Sequence, residues 1–204
     1  MGGSAFDATP SPGRKGDRTR RRLLDIAIRR FATDGYRRTS VSDIAREAGV
    51  TPATTYAYFA GKEALFQAAV DADAHALLET ARSRMSGETV RERWVPWIGI
   101  LLLALEQHPL AKRVLGGGEP DVVYRLLNLP SLAAARAELA ADLAAGQRTG
   151  QVRTDVDADA MAWGLESVVL SLLMAYLQAG RGQSPERAMG IVALLDAALK
   201  PPES

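Results

Sequence analysis

Residues 39–65 read TSVSDIAREAGVTPATTYAYFAGKEAL, and signals within this stretch predict two short helices separated by a turn. Ser40 can cap the first helix, and Asp43 follows it at the spacing of a capping box, with Asp in the place of Glu or Gln. Gly49 suits the left-handed position that ends such a helix. Thr51 can cap the second helix, which starts with a proline. A helix, a glycine-containing turn of about three residues and a second helix form the helix-turn-helix outline.

Amphipathic helices flank this outline on both sides. Upstream, a helix is expected between Asp17 and Gly35, because apolar residues recur there at helical spacing: Leu24, Ala27, Ile28 and Phe31. The opposite face of this helix is basic, with Arg18, Arg22, Arg29 and Arg30. Downstream, a long helix is expected from near Lys62 to the region of Met85. This helix would link the helix-turn-helix to the rest of the chain.

The chain as a whole has helical patterning, and no stretch gives a convincing strand. Residues 1–17 are rich in glycine and proline and lack an apolar period, so we expect a flexible tail there. A helix-turn-helix domain is predicted over residues 18–64 and a helical body over residues 65–204. The predicted fold is all-α with about nine helices, in which a three-helix head is joined by a long helix to the body.

Charge is distributed unevenly along the chain. The formal net charge is +1, yet residues 1–62 hold 12 Lys and Arg against 6 Asp and Glu. A basic first third on an acidic remainder is typical of a domain that meets a polyanion. A basic helix that is simply solvated is the alternative.

Several kinds of chemistry are excluded by what the sequence lacks. It contains no cysteine, which rules out disulfides, thiolate metal sites and thiol nucleophiles. Neither His75 nor His108 is part of a zinc-binding motif, so each is first interpreted as structural or exposed. No phosphate-binding glycine loop and no nucleophile-elbow motif occur. We therefore expect no enzyme activity, no metal site and no cofactor.

One segment, residues 160–180, is long and apolar enough to be tested as a membrane span. Glu166 lies well inside it and no second span accompanies it, which argues against insertion. The first residues also lack the apolar core of a signal peptide. We therefore expect a cytoplasmic protein that does not contact a membrane.

The last two long helices, residues 158–179 and 185–199, carry much apolar surface. Two opposite faces of the first are apolar, one with Trp163, Glu166, Leu170, Leu173, Met174 and Leu177, and the other with Met161, Leu165, Val168, Leu172, Tyr176 and Ala179. A helix that is apolar on both sides must be covered on both sides. Two copies of the chain could achieve this in a four-helix bundle. A helix buried at the centre of one chain is the alternative.

Residues 39–65 resemble the helix-turn-helix signature of the tetracycline-repressor (TetR/AcrR) family, and the resemblance covers residues 18–65 closely. It implies that the head is a DNA-binding domain and that the body binds an effector and dimerises. The implied function is a homodimeric repressor that a small, largely apolar effector releases from a palindromic double-stranded DNA operator. The alternative is a DNA-binding protein of the same fold that has no small effector and is controlled by a protein partner.

The resemblance also implies which residues contact DNA. Those expected to face the bases are Ser42, Pro52, Ala53, Thr54, Tyr56 and Ala57. Those expected to hold phosphates are Ser40, Thr51, Tyr56, Tyr58 and Lys62. For Tyr58 the alternative is packing against the upstream helix, and for Lys62 it is a plain solvated lysine. Ala53 and Thr55 depart from the usual residues of this second short helix, so the operator sequence cannot be borrowed from a relative.

A small-molecule pocket in the body is a further implication of the resemblance. Its candidate effector-binding residues are Trp94, Trp97, His108, Tyr124, Trp163, Glu166, Leu170 and Met174. Aromatic residues at helical spacing also occur in ordinary cores, so plain packing is the alternative. Glu166 is the strongest candidate, because an acid within an apolar run needs a partner. That partner is either a ligand or an arginine across the bundle.

Overall fold

The computed structural model describes residues 12–119, 128–179 and 185–201, and these ranges contain helices and no strand. The helices are α1 (Pro12–Arg38), α2 (Val41–Glu47), α3 (Pro52–Tyr58), α4 (Lys62–Arg82), α5 (Val90–Trp94), α6 (Trp97–Leu105), α7 (Pro109–Leu115), α8 (Pro130–Arg148), α9 (Ala158–Ala179) and α10 (Pro185–Leu199). The predicted all-α fold with an N-terminal helix-turn-helix is confirmed.

Contacts between residues divide the chain into two compact units, Met1–Ala69 and Val70–Ser204, which we call the head and the body. The boundary between them falls inside α4. This helix therefore contributes residues to both units.

The first helix is longer than the sequence predicted. α1 begins at Pro12, whereas the apolar period begins only after Asp17. Proline suits the first turn of a helix, because its missing N–H would have no helical partner there. At the other end, Gly35 has a φ of 80°, which interrupts the helix where the sequence predicted its end. Residues 1–11 of the predicted tail lie outside the described residues.

A small aromatic core holds the head together. Phe31 and Phe66 are buried and pack edge to face, with ring centroids 4.9 Å apart. Tyr36 packs against Phe66 at a centroid distance of 5.0 Å. Ile44 and Ala45 of α2 are fully buried, as their spacing predicted. α2 therefore has one inward face and leaves its other face to solvent.

Two carboxylates of α4 cap the starts of other helices in the body. Oδ2 of Asp73 accepts a hydrogen bond from the backbone N–H of Ala111, 2.8 Å away, in the first turn of α7. Oδ1 of Asp71 accepts one from the backbone N–H of Ser131, 3.0 Å away, in the first turn of α8. The first N–H groups of a helix have no partner within it, and a negative charge is favourable beside them. These bonds set where α7 and α8 start against α4.

α8 lies very close to Val90 and Val152 at Gly146. A methyl group at this position would stand 2.6 Å from Cγ2 of Val152 and 2.8 Å from Cγ2 of Val90. Carbon atoms in contact are normally about 3.5–4.0 Å apart, so only glycine fits here without a shift. Val90 and Val152 are buried in one cluster with Leu143. The missing side chain therefore lets α8 pack against this part of the core.

The buried residues of α9 come from both of the apolar faces named in the sequence analysis. Met161 and Leu173 are buried, although they belong to opposite predicted faces. Trp163, Val168 and Tyr176 are exposed, and they too come from both predicted sets. Neither apolar face is buried as a whole, because a helix that is apolar almost all round has no clear period that marks one inward side.

Candidate nucleic-acid interface and apolar cavity

α3 presents one side to solvent and buries the other. Its exposed residues are Pro52, Ala53, Tyr56, Ala57 and Tyr58, of which Tyr56 retains 55% of its accessible surface. Thr55 is only 1% exposed and is part of the core. Thr55 therefore contributes to packing within the head and not to the exposed face. The expectation that Thr55, like Ala53, bears on the operator sequence is wrong for this reason. Tyr56 is the most exposed of the large side chains of this helix.

Both short helices start at the predicted caps. Oγ of Ser40 accepts the N–H of Asp43 at 3.1 Å, and the same hydroxyl donates to Oδ2 of Asp43 at 2.6 Å. Oγ1 of Thr51 accepts the N–H of Thr54 at 3.2 Å and lies 2.9 Å from Oγ1 of Thr54. Gly49 has a φ of 68°, the left-handed conformation predicted for it. The caps are confirmed, and the hydroxyl of Ser40 has its proton engaged within the head.

Lys62 has partners within the head, and Tyr58 lies close to α1. Tyr58 is at the border of exposure, and a methyl group on Gly16 of α1 would stand 3.5 Å from its hydroxyl oxygen. The Nζ atom of Lys62 donates to the backbone oxygen of Arg37 at 3.3 Å and lies 4.5 Å from the ring centroid of Tyr36. A cation over an aromatic face is held there by the ring quadrupole. Lys62 is thus held by two contacts within the head.

The basic face of α1 is partly neutralised by α2. Arg29 and Arg30 donate to the two carboxylate oxygens of Glu47 at 3.0 Å and 2.8 Å. These hydrogen bonds, the one from Arg30 first and then that from Arg29, lower the pKa of Glu47. Arg18 and Arg22 are exposed and form no ion pair within the part of the chain that the structure describes. They are the arginines of this face whose charge is not neutralised by a carboxylate there.

Arg22 is a candidate contact that the sequence did not single out. A methyl group on Gly49 would lie 3.9 Å from one of its guanidinium nitrogens, so the side chain reaches the turn between α2 and α3. The sequence marks Arg22 only as one of several arginines on α1. Its position beside the turn depends on how α1 packs against α2, which local spacing does not reveal.

The body contains a cavity of about 110 Å³. Helices α4 to α10 contribute to its wall, which is almost entirely aliphatic and aromatic. The lining residues are Ala74, Leu77, Leu78, Trp94, Trp97, Leu101, Leu115, Leu132, Ala135, Arg136, Leu139, Leu165, Glu166, Val169, Leu170, Leu173, Leu195 and Leu199. Such a wall suits an apolar molecule.

Glu166 of the cavity wall is paired with Arg136 of α8. Nη1 of Arg136 donates to Oε2 of Glu166 at 2.7 Å, and the two side chains are only 16% and 13% exposed. Cζ of Arg136 also lies 3.4 Å from the ring centroid of Trp163. The partner that the sequence required for Glu166 is therefore, in this structure, an arginine across the bundle.

The predicted effector-binding residues fall into three groups. Four of them line the cavity: Trp94, Trp97, Glu166 and Leu170. Trp163 does not line it, because its ring covers Arg136 and is 54% exposed. Met174 is half-buried and is likewise not part of the lining. Tyr124 lies outside the described residues. Arg136 is the polar lining residue that the prediction missed, and its only signal is a lone arginine in the alanine-rich stretch of α8.

His108 does not line the cavity and has a structural role. Its Nδ1 lies 3.1 Å from Oδ1 of Asp73, and its Nε2 lies 3.1 Å from Oγ1 of Thr80. The ring is buried with both nitrogens engaged, so it has no free polar atom to offer a ligand. Within the described ranges, no three His, Cys, Asp or Glu side chains are grouped as metal ligands would be.

The last two helices leave apolar side chains uncovered in a single chain. Those exposed on α9 and α10 are Trp163, Val168, Tyr176, Met189, Val192 and Leu194. By length and composition α9 is also the one helix of the described segments that could cross a membrane, with 17% of its apolar window buried. One such helix does not by itself indicate a membrane protein, and Glu166, which lies well inside it, is paired with Arg136.

Known proteins with similar sequences are regulators of transcription. Residues 23–69 match the family described as bacterial regulatory proteins, tetR family. The chain is 28% identical over 186 residues to an HTH-type transcriptional repressor of Mycobacterium tuberculosis, covering 87% of this chain and 90% of that protein. It is 40% identical over 78 residues to the HTH-type transcriptional regulator BetI of Brucella anthropi, covering 36% of this chain and 39% of that protein.

A solved structure with the same fold is the transcriptional regulator FadR from Bacillus subtilis, in complex with stearoyl-CoA. It has a TM-score of 0.67 and 18% sequence identity, and the match covers 88% of this chain and 98% of that one. The family match lies over the capped helix-turn-helix of the head. The relative that covers most of the chain and the solved structure with the same fold are also transcriptional regulators. Residues 23–69 thus match a DNA-binding domain of the tetR family, and the similar sequences support a transcriptional regulator of this family.

Proposed function

We propose that this regulator is a homodimeric repressor, which binds a palindromic operator and leaves it when a small, largely apolar molecule enters the body. The observation that carries the DNA-binding part is the exposed face of α3, which begins at a capped helix start in a head of this family. The proposal places the protein in the cytoplasm, together with the DNA that it regulates.

In this proposal α3 enters the major groove, which is wide enough for one helix. The base-facing residues are Ser42, Pro52, Ala53, Thr54, Tyr56 and Ala57. The two alanines can touch only the methyl group of thymine, and none of these residues offers the paired donors with which Arg or Gln reads a base. Specificity therefore depends on apolar contacts and on DNA shape as much as on hydrogen bonds.

Phosphate contacts surround this reading surface. Lys62 and Arg22 supply positive charge, and Tyr58 a hydroxyl at the end of α3. Ser40 and Thr51 take part through the helix starts that they cap, since the hydroxyl of Ser40 is engaged with Asp43. Because Lys62 is already held within the head, little of its side-chain freedom is lost when it meets DNA.

Dimer formation is supported by the uncovered apolar side chains of α9 and α10. A second copy that applies the same face would bury Val168, Tyr176, Val192 and Leu194 in a four-helix bundle. Two heads in one dimer would then contact two half-sites related by the same two-fold axis.

The cavity supports the effector part of the proposal. Its wall is apolar, and four of the predicted residues line it. FadR from Bacillus subtilis, which shares the fold, was crystallised with stearoyl-CoA, a molecule with a long apolar chain. An effector that binds one arrangement of the body more tightly than another would shift the population away from the DNA-binding arrangement.

The DNA-binding part is tested by selecting bound sequences from random duplex DNA and measuring affinity for the selected site. Tyr56→Ala should weaken operator binding by about tenfold or more, because a base-edge contact is lost. The matched control is Leu103→Ala, which truncates an exposed residue of the body that is 67% accessible. The logarithm of the binding constant of the unchanged protein should fall by about 0.9 per neutralised phosphate for each decade of salt. Salt-independent binding, or full affinity in Tyr56→Ala, would contradict the proposal.

The effector part needs its own test, because control by a protein partner remains the alternative. The three tryptophans all lie in the body, so their fluorescence reports on a ligand there. A panel of apolar compounds should contain at least one that changes the fluorescence and releases operator DNA. If none does either, the protein-partner alternative is favoured, and the DNA-binding result stands.

A further inference from the structure

The cavity of the body holds one ion pair in apolar surroundings. Of the described residues that line it, Arg136 and Glu166 alone carry a charge. Their charges cancel, so the cavity is electrically neutral as a whole. The pair is mostly shielded from solvent, since 16% and 13% of the two side chains remain exposed.

Arg136 is held on more than one side. Nη1 donates to Glu166, and the guanidinium plane lies over the ring of Trp163, with Cζ 3.4 Å from the ring centroid. A guanidinium has five N–H donors, and a carboxylate has two oxygens that each accept more than one hydrogen bond. The pair therefore keeps hydrogen-bonding capacity beyond the 2.7 Å contact that joins it.

Net charge decides which polar groups this cavity accepts. A carboxylate beside the pair would give two negative charges against one positive, and an ammonium group would give the reverse. An uncompensated charge in apolar surroundings is strongly unfavourable, and displacing Glu166 from Arg136 would leave a buried carboxylate without its partner. An uncharged hydroxyl can donate to Glu166 and accept from Arg136 with no change in net charge.

We propose that the molecule bound in this cavity is uncharged, with an apolar chain or ring system and one hydroxyl-type head that hydrogen-bonds to the Arg136–Glu166 pair. This inference rests on the proposed function only in taking the bound molecule to be the effector. The pair acts as the selectivity element of the cavity, and its neutrality excludes amphiphiles with an ionised head.

The test uses three probes with the same eight-carbon chain: octan-1-ol, octanoate and octylammonium. Their affinities for the full-length protein are measured at neutral pH by calorimetry and by tryptophan fluorescence. We expect octan-1-ol to bind about tenfold more tightly than either ion. Glu166→Gln leaves Arg136 uncompensated and should reverse the order, so that octanoate binds about tenfold more tightly than octan-1-ol.

The double variant Arg136→Gln with Glu166→Gln restores a neutral cavity and should restore the preference for octan-1-ol. The matched control is Asp155→Asn, which removes a carboxylate from an exposed ion pair with Arg153 outside the cavity lining. This control should keep the order of the unchanged protein. Both variants at position 166 introduce an amide of nearly the same shape, and thermal unfolding verifies that they fold.

The inference is overturned if octanoate or octylammonium binds best to the unchanged protein, if no probe binds, or if Glu166→Gln leaves the order as it was. Release of operator DNA is recorded separately. Preferred binding of octan-1-ol, with no compound of the panel releasing DNA, would uphold the inference and contradict the effector part of the proposed function. Release of DNA by a charged compound in preference to octan-1-ol would uphold the effector part and contradict the inference.

Discussion

Glu47 of α2 accepts a hydrogen bond from Nε of Arg30 in α1, with Oε2 and the nitrogen 2.8 Å apart. The other carboxylate oxygen accepts from Arg29 at 3.0 Å. One carboxylate therefore joins the helix that precedes α3 to the longest helix of the head. Because the ionised form receives both bonds, the pKa of Glu47 is lower in the folded head than its ordinary value.

We expect Glu47→Gln to destabilise the protein at pH 7 and to have a smaller effect at pH 3. The folded-state pKa is lowered, so the stabilisation is fully present above the unfolded pKa, about 4.3 for glutamate, and is lost as pH falls through the folded value. Urea unfolding at the two pH values measures this difference. Asp25→Asn, which changes an exposed carboxyl of α1 outside the described ion pairs, should show no such pH dependence. A destabilisation by Glu47→Gln that is equal at both pH values would contradict this account.

Thr55→Val should raise the stability of the head. The hydroxyl of Thr55 is buried and has no hydrogen-bond partner among the described residues. Leaving such a group unsatisfied costs about 1–3 kcal/mol, and valine has nearly the same shape without the hydroxyl. Thermal unfolding measures the gain, and operator affinity should stay unchanged because this residue does not face the DNA side of α3. A lower melting temperature would show that the hydroxyl is satisfied in solution.

Gly146→Ala should destabilise the body by about 1–3 kcal/mol, because the new methyl group would overlap two branched side chains. The distances are 2.6 Å to Val152 and 2.8 Å to Val90. Gly99→Ala is the matched control, since Gly99 also lies within a helix and its methyl group would meet nothing within 4 Å. That change should be neutral or stabilising, because alanine favours a helix over glycine. Equal effects of the two substitutions in a denaturant titration would refute the packing described for α8.

Val168→Asp should dissociate the proposed dimer. Val168 is 40% exposed on α9, and a carboxylate there would have to be buried against the second copy. We expect the dimer dissociation constant to rise by about 100-fold or more, as measured by sedimentation equilibrium. Leu103→Asp makes a comparable change on an exposed residue of α6 and should leave the mass unchanged. Loss of the dimer in both variants, or in neither, would show that α9 is not the interface.

Local signals in the sequence predicted the head well. Ser40, Gly49 and Thr51 act through groups within a few residues of themselves, and the structure confirms the cap or turn predicted for each. The partial neutralisation of the basic face was not predictable in the same way, because Glu47 lies on a different helix from Arg29 and Arg30.

The body shows the limits of such signals. Composition indicated that Glu166 needs a partner, but only the packing of α8 against α9 identifies Arg136. His108 was proposed as a polar group for the effector, whereas Asp73 and Thr80, which are distant in sequence, occupy both of its ring nitrogens. These pairings depend on contacts between helices, which cannot be predicted from the hydrophobic period of a single helix.

The paired caps supplied by α4 limit how the body can rearrange. Asp71 and Asp73 bond to the first turns of α8 and α7, so a slide of this segment along its axis would strip both helix starts of their acceptors together. Intermediate positions, with neither acceptor in reach, are penalised. A shift of α4 would therefore break both bonds together, which favours a stepwise change of register over a gradual drift.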